Sequence, residues 1–354
     1  MRDSVRALGI GAAALGAGLL LLALGLDLAG YDAGGALRAL WDGAFGSWRV
    51  FTGATLLRAV PLVLIGLGFA LALRGGALNI GAEGQFYAGA IAATWVGVQA
   101  GGWPPWVALP AVMAAGLAAG ALWMLLPVIL KLRFGVLEVI STLLLNFVAE
   151  ALVSLMVQGP MQEPSGIYPQ SAPIAEVARL PLLPGTRLHL GFLVALLLAA
   201  VLRWVLARTW WGFRLRALGT GPLAAEVSGG VRPGRMVAVA LLWSGALAGL
   251  AGAFEVGGVS YALYQNLSPG YGFTAIGVAL LARLRPSAIV LTGVIFGALE
   301  AGAGAMQRDA GIPAVAVYVV EGVVILVLLL GDAAARRRVG RLVTVSRARA
   351  EDAS

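Results

Sequence analysis

Cysteine is absent from the 354-residue chain. A disulfide framework, a thiolate nucleophile and a sulfur-ligated metal site are all excluded with it. Histidine is nearly absent too: His189 is the only one, and its polar, proline-rich surroundings predict a surface residue. One histidine cannot make an H-E-x-x-H zinc motif. The sequence also lacks a G-x-S-x-G elbow and a G-x-x-x-x-G-K-[ST] phosphate loop, since Lys131 is followed by leucine. The chain therefore cannot hydrolyse ATP by a P-loop mechanism, and no catalytic or metal-ligating residue is assigned. Charge is scarce as well. Charged residues make up 12% of the chain, about half the share of an ordinary soluble domain, against 60% hydrophobic residues and a mean hydropathy of +0.90. A soluble fold is excluded on composition alone.

What is there divides best by the ~20 apolar residues that one bilayer crossing needs. Uncharged runs, cut at Gly, Pro and polar clusters, predict spans near 7–27, 55–73, 81–100, 106–130, 135–158, 190–208, 237–258, 274–285, 287–306 and 313–331. The fold class is thus all-α and polytopic, with about ten transmembrane helices in a permease domain over 1–335 and a basic tail over 336–354. Ala7 to Leu26 is too long for the core of a cleaved signal and reads as a retained anchor. The 50 glycines suit membrane helices packed closely through small residues.

The net charge of +8 would point to nucleic acid in a soluble protein, but in a membrane chain basic residues first report orientation. With ten crossings and the N-terminus inside, eighteen basic residues fall on the inner side and six on the outer. Both termini are therefore expected in the cytoplasm, and no nucleic-acid partner is expected. The basic tail is either solvated or bound to anionic lipid. Of the connections, 28–54 and 159–189 are expected outside, the first with a short interfacial helix over Ala36 to Phe45. Residues 207–236 form the largest inner loop. A short internal echo is also present: Ile65-Gly66 leads to Leu73-Arg74 at the spacing at which Ile276-Gly277 leads to Leu284-Arg285.

Three G-x-x-x-G spacings, Gly116/Gly120, Gly245/Gly249 and Gly293/Gly297, put glycines on one helix face and predict close helix crossings. The stretch from Gly75 to Gln85 is different in kind. It sets Asn79, Glu83 and Gln85 among glycines between two apolar spans. Interrupted polar backbone at membrane depth survives only where protein or a water-filled cavity covers it. These residues then border a substrate path, or they form a polar inner loop with Glu83 at a helix start. Glu138, Thr142, Asn146 and Glu150 follow at i,i+4 and predict a polar stripe; it faces a cavity or makes interhelical hydrogen bonds. Glu255, Glu300 and Glu321 are isolated and read as structural. The inner loop contributes Arg214, Arg216 and Gly219, then Ala224, Ala225, Glu226 and Gly229, with a short helix expected over Leu223 to Ser228.

In these segments the sequence resembles the permease subunits of ABC importers for nucleosides, within the group that includes simple-sugar and branched-chain amino-acid permeases. Asn79-Ile80-Gly81-Ala82-Glu83-Gly84-Gln85 resembles the N-I-G-x-E-G-Q element of the nucleoside branch. Gly212 to Gly219 with Ala224-Ala225 and Gly229 resembles the coupling loop, and Leu267 to Phe273 and Ile140 to Phe147 resemble two further elements. The resemblance implies a bacterial inner-membrane importer with no cofactor on this chain. ATP would be used by a cassette subunit (often two cassettes fused), beside a second, paralogous permease and an extracytoplasmic binding lipoprotein. Asn79, Glu83, Gln85, Thr142 and Asn146 would lie on the substrate path, and Arg214, Arg216, Gly219, Ala224, Ala225, Glu226 and Gly229 would couple to the ATPase. A simple-sugar permease is the alternative within importers. A secondary transporter and an intramembrane enzyme are the rivals outside them.

Overall fold

The structure, a computed structural model, describes residues 16–221, 232–313, 315, 318, 319 and 322. These residues form helices and irregular connections, with three isolated β-bridges. In chain order the helices are α1 (Gly16–Leu28), α2 (Ala33–Phe45), α3 (Trp48–Arg74), α4 (Ala82–Gln99), α5 (Pro105–Phe134) and α6 (Glu138–Val157). They continue with α7 (Gly191–Arg208), α8 (Trp210–Thr220), α9 (Pro233–Ser260), α10 (Tyr271–Leu281) and α11 (Pro286–Asp309). Six of them, α3, α5, α6, α7, α9 and α11, are long and apolar enough to cross a membrane. Helix α4 has the length, but Glu83, Gln85, Tyr87 and Gln99 dilute its hydropathy. The last expected span, 313–331, falls largely outside the described residues.

By contacts the chain divides into two compact units, 1–43 with 299–354, and 44–298. In the smaller unit Asp32 caps α2, its carboxylate accepting the Gly35 N–H at 2.9 Å. Gly302 there lies so close to α2 that a Cβ would come within 2.6 Å of the Leu40 carbonyl oxygen.

The larger unit is organised around α9, which packs on α3, α4 and α5. Of the most apolar 18 residues, 83% are buried in α3 and 72% in α9, against 28% in each of α6 and α7. Glycine makes the centre possible. A Cβ on Gly120 would lie 2.7 Å from the Gly249 Cα, and one on Gly245 would lie 2.6 Å from the Gly120 carbonyl oxygen. On the other side Gly89 of α4 meets the same Gly249 backbone. Two of the expected G-x-x-x-G crossings are thus a single one, α5 against α9. The third sets α11 on α3, where a Cβ on Gly293 would lie 2.6 Å from Val63 Cγ2.

Two sequence expectations are corrected. The inner loop is not merely a loop up to residue 220. Thr209 caps α8, its Oγ1 accepting the Gly212 N–H at 3.2 Å, and Leu215 and Leu218 are buried. Leu215 packs with Leu71, Leu206 and Ala240, so α8 seals the ends of α3, α7 and α9.

The second concerns His189, which is buried at 1% exposure rather than on the surface. Its ring lies edge-on to Phe254, 6.2 Å between centroids, and covers Gly258. Its Nδ1 accepts the Gly191 N–H at 3.1 Å, as neutral imidazole does. Burial pushes it down from 6.5 to about 4. Above pH 6.5 the ring is neutral both folded and unfolded, so the stability is complete. As pH falls from 6.5 toward 4, only the unfolded chain takes up the proton, and on the order of 3 kcal/mol is lost. Thermal unfolding of detergent-solubilised protein should therefore drop between pH 6.5 and 5, and His189→Gln should flatten that drop. An equal slope in both proteins would refute this.

Candidate functional site

The N-I-G-A-E-G-Q segment lies where chain continuity breaks. Helix α3 ends at Arg74, residues 77–81 are irregular, and α4 starts at Ala82. A second break, 261–270, separates α9 from α10. Each break frees backbone groups that must find partners away from water. The polar side chains of the segment supply them.

Asn79, fully buried, donates from Nδ2 to Gln85 Oε1 at 2.8 Å and to Ser244 Oγ of α9 at 2.9 Å. Its Oδ1 accepts the Gly81 N–H at 2.9 Å and a bond from Gln85 Nε2 at 3.1 Å. Gln85 also approaches Met124 Sδ of α5 at 3.3 Å. The two amides therefore satisfy each other and tie the break to α5 and α9.

Asn146 works from α6. Its Oδ1 accepts the Gly84 N–H at 2.8 Å and its Nδ2 donates to the Ile80 carbonyl at 3.0 Å. Helix α6 can come this near because the segment has no side chain in the way. A Cβ on Gly81 would lie 2.7 Å from Thr142 Cβ, and one on Gly84 would lie 2.9 Å from the Leu145 carbonyl oxygen. Thr142 is buried and bonds within its own helix, donating to the Glu138 carbonyl at 2.7 Å.

Glu83 joins the two breaks. It sits in the first turn of α4, and its Oε2 accepts the Gly272 N–H of the first turn of α10 at 2.6 Å. Ser268 also hydrogen-bonds Glu83, while its Oγ accepts the Gly270 and Tyr271 N–H groups, both at 3.0 Å. A carboxyl oxygen and a hydroxyl thus cap a helix start inside the protein. Beside them Phe86 packs on Tyr271, ring centroids 5.9 Å apart.

The expected polar stripe on α6 divides. Glu138, Thr142 and Asn146 are buried, but Glu150 is exposed. Each i,i+4 step turns a helix by about 40°, so the fourth position has swung about 120° from the first. Glu138 accepts the Leu78 N–H at 3.3 Å and pairs with Lys131 Nζ at 2.5 Å, a bridge from α5 to α6 beside the break.

Of the expected coupling residues, Arg214 and Arg216 lie on α8, with the Arg214 guanidinium 3.4 Å from the Trp210 ring centre. Gly219 packs against the Arg74 carbonyl, and Gly75 against Leu215, whose Cδ1 lies 2.9 Å from where a Cβ would be. Helix α8 thus touches the chain four residues before Asn79. Ala224, Ala225, Glu226 and Gly229, with the short helix expected over Leu223 to Ser228, lie outside the described residues.

Sequence reasoning missed Ser244, Met124 and Lys131 as members of this network. Ser244 carried a signal, a hydroxyl next to the first glycine of a G-x-x-x-G pair. Met124 and Lys131 carried none that separates them from packing and from orientation charge.

A family profile described as branched-chain amino acid transport system / permease component matches residues 51–329. The chain belongs to this family of transport permeases. The permease is also 39% identical to the glucose ABC transporter permease TsgB13 of Haloferax volcanii, over 80% of this chain and 77% of that protein. It is 37% identical to the guanosine ABC transporter permease NupP of Bacillus subtilis, over 87% and 89%. With the nucleoside ABC transporter permease NupB of Lactococcus lactis the figures are 30%, 87% and 86%. No solved structure matches the permease. Membership makes this chain a multi-pass transport subunit, and the network from Asn79 to Gln85 lies within the matched region.

Proposed function

We propose that this permease forms half of the path of an ABC importer for nucleosides, with ATP hydrolysed on a separate cassette subunit. The observation that carries the reading is the buried N-I-G-A-E-G-Q network, which holds two interior helix starts together and lies next to α8. The guanosine and nucleoside permeases among its relatives support the substrate class. A sugar is the second reading, favoured by the glucose permease of Haloferax volcanii. Bacillus subtilis has two guanosine permeases similar to this chain, NupP and NupQ, which supports a paralogous second permease as partner, beside a binding lipoprotein.

Asn79, Gln85 and Asn146 act by shaping the wall of the path, since their amides are already engaged, and Glu83 and Thr142 hold that wall in register. Coupling runs from Ala224, Ala225, Glu226 and Gly229 through α8 to Gly75 and the network. Uptake of labelled guanosine into cells carrying the complete importer tests this. Excess unlabelled nucleoside should abolish uptake and excess glucose should not; uptake of labelled glucose with none of labelled guanosine would establish the sugar reading. In the same assay Ala225→Glu should stop uptake while the subunits still assemble, and undiminished uptake would refute coupling through this segment.

In this reading both termini lie in the cytoplasm. The natural absence of cysteine makes the check direct. A membrane-impermeant thiol reagent applied from outside should label Arg187→Cys and not Arg216→Cys, and labelling of the second alone would invert the assignment.

A further inference from the structure

A cavity of about 350 Å³ opens at the end of the larger unit where α3, α7 and α8 finish and α11 begins. Arg74, Arg203, Arg216 and Arg285 line it with Leu206, Ala207, Pro286 and Ser287, and no acidic side chain is among the described residues that line it. Four guanidiniums around one small space repel one another; Arg216 and Arg285 are both near enough to act on Arg74. An anion in the space would relieve that repulsion.

Arg74 is held in place. Its Nε and Nη2 donate to the Leu284 carbonyl at 3.1 and 3.0 Å. That carbonyl belongs to a turn in which Arg283 and Leu284 both take left-handed conformations, φ 51° and 58°. The turn is held by the Leu284 N–H bonding to the Ala279 carbonyl at 2.9 Å. It ends at Pro286, the first residue of the 24-residue α11, where the Arg285 carbonyl accepts the Ala288 and Ile289 N–H groups at 2.9 and 3.0 Å and so closes the helix start. The structure therefore spends unusual backbone geometry on placing Arg285 at the space that Arg74, Arg203 and Arg216 enclose. The internal echo explains part of this, because its two copies end at Arg74 and Arg285, on the same cavity.

We propose that this cavity binds the phosphate headgroup of an anionic phospholipid. Bidentate arginine suits phosphate oxygens. The lipid source is favoured over a docked protein segment by three features. The space is the size of a headgroup, Leu206 and Ala207 of α7 give it an apolar wall, and Trp204, next to Arg203 in the sequence, and Trp210, at the start of α8, are exposed as tryptophans are at a membrane interface. Basic pockets between helix ends bind anionic headgroups in this way.

The test is native mass spectrometry of the full chain in detergent, offered phosphatidylglycerol or phosphatidylcholine. Wild type should retain phosphatidylglycerol in preference, and less of it at 0.5 M than at 0.15 M salt. Arg203→Gln with Arg285→Gln should lower that affinity about thirtyfold, the effect of two basic residues at an anionic surface, whereas Arg133→Gln should not. The lysine pair Arg203→Lys with Arg285→Lys, which keeps the charge, should retain most of it. Equal retention of the two lipids by wild type, a reading that needs no variant to fold, would overturn the proposal. Unchanged retention in the glutamine pair would overturn it too. Protection against heat by millimolar inorganic phosphate with no lipid preference would assign the site to a soluble anion instead. Loss of cassette binding with lipid retention intact would assign it to a protein partner.

Discussion

Gly249→Leu is expected to leave no folded permease. The backbone of Gly249 is approached from two sides, by Gly89 of α4 and by Gly116 and Gly120 of α5. A Cβ there would lie 2.8 Å from both the Gly120 N and Cα, which are main-chain atoms that no rotamer change can remove. Overpacking a core ordinarily costs ~1–3 kcal/mol. Here whole helices would have to separate, and that cost takes up much of the ~5–15 kcal/mol a folded domain has. Size-exclusion of the solubilised protein should show aggregate for Gly249→Leu and a weakened, monodisperse species for Gly249→Ala. Gly101→Ala, where nothing lies within 4 Å of the added atom, should match wild type. A monodisperse, heat-stable Gly249→Leu would refute the three-helix contact.

Glu83→Ala is expected to abolish uptake without preventing membrane insertion. It removes the oxygen that accepts the Gly272 N–H at 2.6 Å and the partner of Ser268. A buried donor left unpaired costs ~1–3 kcal/mol, and more where the lost partner is ionised. The loss falls on the start of α10 and not on the glycine-packed centre, so the helix bundle persists while the junction of the two breaks loosens. Hydrogen exchange should speed up over residues 268–275, and Glu83→Gln, which keeps one acceptor oxygen in place, should be intermediate in both readouts. Wild-type uptake with unchanged exchange in Glu83→Ala would mean the carboxyl has no role at the junction.

Much of this is legible in the residues themselves. Glycine spacing marks the faces of α5, α9 and α11 that cross a neighbour closely, because i and i+4 glycines share one side of a helix, but it does not say which neighbour. The polar segment from Asn79 to Gln85 is visible because amides in an apolar chain must be satisfied. What stays hidden depends on partners distant in sequence. His189 looks like a loop residue until Phe254 and Gly258 close over it. The Glu138–Glu150 stripe looks uniform because an i,i+4 series ignores the drift of a 3.6-residue turn. The role of Glu83 requires knowing that α10 starts beside α4, which no local pattern records.

The length of α5 has a mechanical consequence. Thirty residues at ~1.5 Å each make a rod of ~45 Å, against a hydrocarbon layer of ~30 Å. Its first charged residue is Lys131, clamped to Glu138, so nearly all of the rod is apolar. Of its most apolar 18 residues 33% are buried within this chain, which leaves much of its flank open to lipid or to a second subunit. Helix α7, at 18 residues, is ~27 Å long and fits the layer without strain. Wherever lipid meets α5, the rod must lean or the bilayer must swell, at fractions of a kcal/mol per ångström. A change in the thickness of the surrounding lipid will be felt first as a torque on α5, and through its glycine contacts on α9.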